Sequence, residues 1–321
     1  MWLCANAFFP FYGFHNSAYG YLLQHGDNDT YFIQHDQHKY ILRVWSKDKR
    51  LHKEIEAEME LLDFLVQHHV PVVQPLLLTQ GGYLTVVQAP EGERMVGLFH
   101  YAPGTAPGKH ITSEHSYPYG RAVAEMHQAW DSLKRTYPRA EKNRQVLLEE
   151  PVEKLLPAMA HRPADCAYLI ELALQLRAEV SALETGSPVY GLCHCDLHKN
   201  NLLWFPESHL TLMDFDTCGY SWRAYDLAVL FWSTRYLPQA REVRHAYLQG
   251  YNSVRPLKEI EMQMLPYFVA IRDIYIAATE CEQALRGTAG SSRIDDDFFD
   301  EHLAFLHAWM DAIQNDTYQD L

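Results

Sequence analysis

Residues 193–201 read Cys-His-Cys-Asp-Leu-His-Lys-Asn-Asn. Two chemistries compete for this set. Thiols and imidazoles at close spacing are ligands for a metal such as zinc. His-x-Asp with an asparagine five residues past the aspartate supplies the groups phosphoryl transfer needs. Those groups are a base for a hydroxyl proton and an amide oxygen for Mg²⁺.

For the metal, Cys193, Cys195, His194, His198 and, further on, His209 are on offer. Structural zinc uses two ligand pairs, spaced Cys-x₂₋₄-Cys or His-x₃₋₅-His. Here the cysteines stand at i, i+2 and no second cysteine pair follows. In a strand that runs into a loop, such a pair reads as two small packing residues.

The phosphotransfer set extends further. Thirteen residues past Asn201, Asp214 opens the triplet DFD at the end of a strand. The segments NLLWF and LTLMDF flank PESH, which reads as a hairpin turn. A hairpin there returns Asn201 and Asp214 to neighbouring positions. Asp214 is then placed like the Mg²⁺-binding aspartate of D-F-G, and Asp196 like a catalytic-loop base. Upstream, Arg43 lies on the strand YILRVW, facing the next helix. Glu58 on that helix is its natural partner, with Glu54 one turn earlier able to substitute. Taken singly, Arg43 is a surface strand residue and Glu58 one of four solvated glutamates. In order with Asp196, Asn201 and Asp214, they read as a cation for nucleotide phosphates and the acid that holds it.

These residues need elements to position them. YGYLLQ, TYFIQH and KYILRVW are rich in aromatic and β-branched residues and read as strands, parted by the turns HGDND and HDQH. In KEIEAEMELLDFLVQH, Ile55, Met59, Leu62 and Val66 form one helical face, and Glu54, Glu56, Glu58 and Glu60 the exposed side. YLTVVQA and RMVGLFHY are two more strands. APGTAPG at 102–108 is dense in Pro and Gly and marks a boundary. Beyond it YGRAVAEMHQAW, CAYLIELALQLRAEVSAL, RAYDLAVLFWSTRYL and EIEMQMLPYFVAIRDIYIAATECEQAL read as helices. Three short strands interrupt them: VYGLC, NLLWF and LTLMDF. The expected class is α+β, with a small β-rich lobe at 1–97, a hinge at 98–104 and a large, mainly α-helical lobe at 105–321.

The chain has 321 residues, 48% of them hydrophobic, enough for a large core. A formal net charge of −14, from 41 acidic and 27 basic residues, argues against nucleic acid, which asks for a basic stripe. It leans towards a cationic or metal-bound ligand. No apolar run approaches the roughly 18 residues of a membrane span. The apolar start MWLCANAFFPF has no basic residue before Lys39, so it reads as part of the fold and not as a secretory signal. Six cysteines without a Cys-x-x-Cys pair suit free thiols in a reducing cytoplasm. No pattern specifies an oligomeric state.

Taken in order, these motifs resemble the aminoglycoside phosphotransferase and choline kinase-like superfamily, the small-molecule branch of the protein kinase-like fold. The resemblance runs over nearly the whole chain. It includes GDNDTYFIQHDQHKYILRVW, EMELLDFLVQHHVPVVQPL, LFHYAPG, GRAVAEMHQ, CHCDLHKNNLLW and LMDFDTCGYSWRAYDLAVLFW. The tail YLQGYNSVRPLKEIEMQMLPYF is most similar to the homoserine kinase-like and stress-response kinase-like subgroup.

The resemblance implies a two-lobed, ATP- and Mg²⁺-dependent kinase acting on the hydroxyl of a small molecule. A protein Ser/Thr acceptor and a catalytically silent nucleotide-binding module are its alternatives. It implies that Asp196 is the catalytic base, that His194 braces its loop, and that Asn201 and Asp214 bind Mg²⁺. Asp226 in YDLA ties the loop to the following helix. Arg43 and Glu58 hold the phosphates, Asn28 or Thr30 touches them, and backbone near Phe99 and Tyr101 meets adenine. Three departures stand out: Arg43 replaces a lysine, Cys195 replaces the glycine of His-Gly-Asp, and the phosphate loop has only Gly26. Cys195 puts a thiol near the base, so activity is expected to be thiol-sensitive. His127, on an apolar helix face, reads as a packed core histidine. Residues 221–310 are expected to line an acceptor pocket, with Trp222, Tyr225, Trp232, Asp273 and Tyr275 as candidates and an amine-bearing alcohol as the favoured acceptor. Trp222, Tyr225 and Trp232 could stack on a substrate or a cationic head group, but core packing is the better reading of these three.

Overall fold

A computed structural model describes residues 9–318 except 15–17, 27, 48, 182, 184, 187, 206–208 and 288–292. The chain forms two compact units. The first runs to Gly104 and takes in Lys134–Arg139 and Phe205–Met213. The second holds Thr105–Leu133, Ala140–Trp204 and Asp214–Leu321.

The first unit is built on a five-stranded antiparallel sheet. Its strands are β1 (Tyr19–Gln24), β2 (Asn28–His35), β3 (His38–Trp45), β4 (Leu84–Ala89) and β5 (Gly92–His100), in the order β1-β2-β3-β5-β4. Helix α1 (His52–Gln67) follows β3. Alternation along β3 sends Tyr40, Leu42 and Val44 into a core with Phe9, Tyr12, Phe14 and Leu98. The apolar N-terminal stretch, from Phe9 on, is therefore part of the fold. Residues 1–8 of it lie outside the described residues. The same alternation leaves Arg43 on the opposite face, over the Trp45 ring at 5.8 Å.

One expectation for α1 fails. Glu56 and Glu60 are exposed, but Glu58 is 2% exposed. Ile55, Glu58, Met59 and Leu62 are spaced i, i+3, i+4, i+7, so Glu58 sits within the apolar stripe.

The second unit is mainly helical. Its helices are α2 (Ser113–Asp131), α3 (Glu150–Ala158), α4 (Pro163–Val180), α5 (Arg223–Ser233), α6 (Ala240–Asn252), α7 (Glu259–Leu285) and α8 (Asp296–Gln314). Strands β6 (Tyr190–Cys193) and β9 (Gly219–Trp222) pair antiparallel, Cys193 opposite Gly219. Between them in sequence come β7 (Leu202–Phe205) and β8 (His209–Leu212), the latter counted with the first unit. The turn expected at PESH falls on 206–208, outside the described residues. Asp214 lies two residues past β8 and not at a strand end.

Helices α2 and α6 pack at very close range through glycines. A Cβ on Gly120 would overlap the Tyr247 carbonyl oxygen, and one on Gly250 would overlap that of Tyr117. Sequence reading missed α3 and β9, and it read the chain as helical from 221 on without setting out α6 and α8 within that stretch. For α8 the signal was present: Phe299, Leu303, Leu306 and Met310, spaced four, three and four, are all buried. Asp295 caps that helix by accepting the Phe298 N–H at 3.3 Å. Among the described residues no helix is long and apolar enough to cross a membrane.

Candidate active site

Strand β6 delivers the chain into His194-Cys195-Asp196, and two helices hold that tripeptide. From α5, the buried Asp226 carboxylate accepts the N–H of His194 at 2.7 Å and that of Cys195 at 2.5 Å. It also pairs with His127 Nε2 of α2 at 2.9 Å. Burial works against the Asp226 charge, but the bond from His127 and the proximity of His194 outweigh it, and its pKa lies below the usual carboxylate value. His127 Nδ1 meets the Tyr251 hydroxyl at 2.8 Å. Burial, with Arg223 nearby, lowers the His127 pKa to about 3. The neutral tautomer satisfies both partners: Nε2–H donates to Asp226, and Nδ1 accepts from Tyr251. His127 is thus a core histidine with a purpose, a second support for the loop.

From α7, Arg272 forms an ion pair with Asp196 Oδ1 and donates to the Cys195 carbonyl oxygen at 3.2 Å. Asn201 Nδ2 donates to the Asp196 carbonyl at 2.8 Å and to its Oδ2 at 3.2 Å. Asp196 offers only acceptors, which fixes the amide nitrogen towards it. Both contacts run through Nδ2, so Oδ1 is the donor atom left for a cation. His194 is fully buried and its ring lies 4.5 Å from that of Phe215, the middle residue of DFD. Thr217 Oγ1 donates to the His194 carbonyl at 3.0 Å. Asp214 is near enough for its charge to act on His198, whose pKa burial nevertheless lowers. The structure therefore brings Asp196, Asn201, His194 and the DFD segment together in one unit.

Two of these residues adopt left-handed backbone. Cys195 has φ 65° and Asp214 has φ 66°. For a non-glycine residue that conformation carries strain, which gathers at functional sites. The expected thiol sensitivity is corrected. Cys195 is 3% exposed, its Sγ approaches backbone carbonyls of Cys193 and Gly219, and burial pushes its pKa well up, so it is neither accessible nor a thiolate. As for zinc, His127, Cys193 and Asp226 do lie within 4.8 Å of one another among the described residues. Their atoms are engaged otherwise: the histidine and the carboxylate bond each other, and Cys193 Sγ donates to the Ser221 carbonyl at 3.4 Å.

In the first unit, Glu58 is ringed by arginines. Arg50 is nearest at 2.7 Å, Arg139 follows at 3.5 Å, and the expected partner Arg43 stands at 4.0 Å. Sequence order pointed to Arg43 alone, because Arg50 sits in a loop and Arg139 is far along the chain. Asn28 opens β2, and its Oδ1 accepts the Ser46 N–H at 3.1 Å. Thr30 pairs with Arg43 across β2 and β3. Phe99 is buried in β5, and Tyr101 is exposed, edge-on to Phe32. In this stretch His100 N–H donates to Gln74 O at 2.9 Å and Tyr101 N–H to Lys39 O at 3.2 Å.

The acceptor-lining candidates divide. Trp222 and Tyr225 are core residues packed against Phe268, as the core reading of them had it, and drop out as candidates for a pocket wall. Asp273 is fully buried; it accepts from Trp232 Nε1 at 2.7 Å and meets His302 Nδ1 at 2.8 Å. Trp232 and Tyr275 are partly exposed, each under the Arg272 guanidinium at 5.5 and 5.7 Å. Sequence reading missed Arg272. The signal was an Arg-Asp pair set inside the apolar run VAIRDIYIAA, where two adjacent charges must each find a buried partner.

The family model for the phosphotransferase enzyme family matches residues 23–260. A protein of Synechocystis sp. is 32% identical over 240 residues, which are 75% of this chain and 66% of that protein. Amicoumacin kinase of Bacillus subtilis is 25% identical over 276 residues, 83% of this chain and 80% of that enzyme. Among solved structures, a microcompartment-associated aminopropanol kinase superposes with a TM-score of 0.78 at 23% identity, covering 98% of both chains. An amicoumacin kinase in complex with AMP-PNP and Ca²⁺ does so with a TM-score of 0.71 at 23% identity, covering 93% of this chain and 88% of that one. The α+β fold is thus protein kinase-like, and with three quarters of its length matched by the family model the chain belongs to the phosphotransferase enzyme family.

Proposed function

We propose that this enzyme transfers the γ-phosphoryl group of ATP, with Mg²⁺, to a hydroxyl group of a small amine-bearing molecule in the cytoplasm. The observation that supports the reading is the Asp196–Asn201 contact, which sets one amide oxygen beside a carboxylate. Asn201 Oδ1 and the Asp214 carboxylate are hard oxygen donors, and these suit Mg²⁺ better than a thiophilic ion. Bound Mg²⁺–ATP supplies the phosphoryl group and neutralises charge on its oxygens. The chain's own residues do the rest. Asp196 takes a hydrogen bond from the acceptor hydroxyl and then its proton, as the hydroxyl oxygen bonds to phosphorus. The bond from phosphorus to the bridging oxygen breaks, and its electron pair leaves with ADP. Arg43, set by Glu58, is the cation assigned to the phosphates.

An amine on the acceptor fits the net charge of −14 and the relatives named for amicoumacin and aminopropanol. Free thiols at all five described cysteines suit a reducing compartment.

The test is ADP release from ATP and Mg²⁺ across 1-amino-2-propanol, homoserine, an aminoglycoside panel and casein. An amino alcohol should raise release in the wild type, and Asp196→Asn should cut it ~10²–10⁴-fold, the usual weight of a general base. Release driven by casein alone would overturn the small-molecule acceptor. Full activity in Asp196→Asn would overturn the base.

A further inference from the structure

We propose that Arg272 is a positioning residue for phosphoryl transfer, a guanidinium clamp that sets the orientation of the Asp196 carboxylate from helix α7. The inference rests on the phosphotransfer reading above. The tripeptide His194-Cys195-Asp196 is held from two helices. Asp226 of α5 takes the N–H groups of His194 and Cys195. Arg272 takes the opposite polarity: Nη1 donates to the Cys195 carbonyl at 3.2 Å, and Nη2 pairs with Asp196 Oδ1. One anion therefore holds the amides of the loop, and one cation holds its carbonyl and the reacting carboxylate.

The geometry calls for an arginine. Two acceptors on consecutive residues, one main-chain and one side-chain, are reached by two nitrogens of a single planar group. Nη1 also donates to the Tyr225 hydroxyl at 3.3 Å, which fixes the fork from the side of α5. Trp232 and Tyr275 flank the guanidinium at 5.5 and 5.7 Å. The side chain is 3% exposed, so the cation is costly to bury without a partner, and Asp196 is the carboxylate it pairs with. The residue between the two held groups is Cys195, at φ 65°. A strained turn persists only where its surroundings fix it, and Asp226 and Arg272 grip it on both sides. With Oδ1 on Arg272 and Oδ2 near Asn201, the rotation of the carboxylate is set before any hydroxyl arrives. Such pre-set orientation is worth much of a catalytic advantage.

A buried ion pair that only supported the fold would affect stability and nothing else, so the test reads two other quantities. The first is steady-state ADP release from ATP and Mg²⁺ with 1-amino-2-propanol as acceptor, in the wild type, Arg272→Lys and Arg272→Ala. Lysine keeps the charge but cannot reach both acceptors. Arg272→Lys should lose about 10–100-fold in kcat with KM for ATP within about threefold. Guanidinium ion at millimolar concentration should restore part of the rate of Arg272→Ala. The second is hydrogen exchange at the amides of residues 194–196 by NMR. It should quicken in Arg272→Lys while the amides of α7 keep their protection. Wild-type kcat and wild-type exchange in Arg272→Lys would overturn the clamp, as would a loss confined to KM for ATP. A wild type that releases no ADP with any acceptor counts against the proposed function, and the exchange measurement then decides the clamp by itself.

Discussion

Asp226 Oδ1 accepts the backbone N–H of Cys195 at 2.5 Å, across 31 residues of chain and with both groups buried. The bond anchors a left-handed residue next to Asp196, the proposed base. Asp226→Ala should leave two buried amides and His127 Nε2 without an acceptor. A loss of about 3–5 kcal/mol is expected, from breaking a buried charged network by removing one partner. Urea denaturation at neutral pH checks it, and a change under about 1 kcal/mol would contradict the anchoring role.

Acid should destabilise the fold through the same cluster. Folded His127 titrates near 3, whereas an unfolded histidine titrates near 6.5. Between those values the unfolded chain binds a proton that the folded chain does not. Stability therefore rises with pH from about 3 to 6.5 and is flat above that, with a slope approaching ~1.4 kcal/mol per pH unit from this residue. Asp226, held below its usual value, adds a slope of the same sign below about pH 4. His127→Gln should flatten the dependence between pH 4.5 and 6.5. Urea midpoints at pH 5 and 7 that shift equally in both proteins would exclude His127 as the source.

Cys195 should tolerate glycine and reject β-branching. At φ 65° a glycine relieves about 1 kcal/mol of strain, which offsets the lost thiol packing, so Cys195→Gly should stay within about 1 kcal/mol of wild type. Cys195→Val should cost more than about 2 kcal/mol. The two melting temperatures decide it: equal values for glycine and valine variants would mean that the backbone there is not the constraint.

Glu58 is the shared partner of Arg50, Arg139 and Arg43. Glu58→Ala should destabilise the protein by about 3 kcal/mol, since it leaves three largely buried cations without their shared carboxylate. Arg50→Ala, which leaves two arginines on the carboxylate, should cost less. Equal melting temperatures for the two variants would refute the shared-partner arrangement.

Much of this molecule is legible in order and periodicity. The strand triplet at 19–45, the long helices and the spacing from His194 through Asp196 and Asn201 to Asp214 are local facts, because hydrophobic period and motif spacing are written along the chain. The same information places Asp226 in the helix that follows DFD. What the linear pattern does not carry is which distant side chain meets a buried charge. Glu58 looked solvated because its neighbours are glutamates, yet the 3.6-residue period turns it inward, where Arg50 and Arg139 meet it. Arg272 lies 76 residues from Asp196, and only the packing of α7 brings its guanidinium to that carboxylate. Trp222 and Tyr225 follow DFD closely, and core packing was the better reading of them from the sequence; their packing against Phe268 of α7 agrees with it. A buried charge must find a partner wherever the fold supplies one, so the sequence determined which groups could react, and the tertiary structure decided which groups hold them.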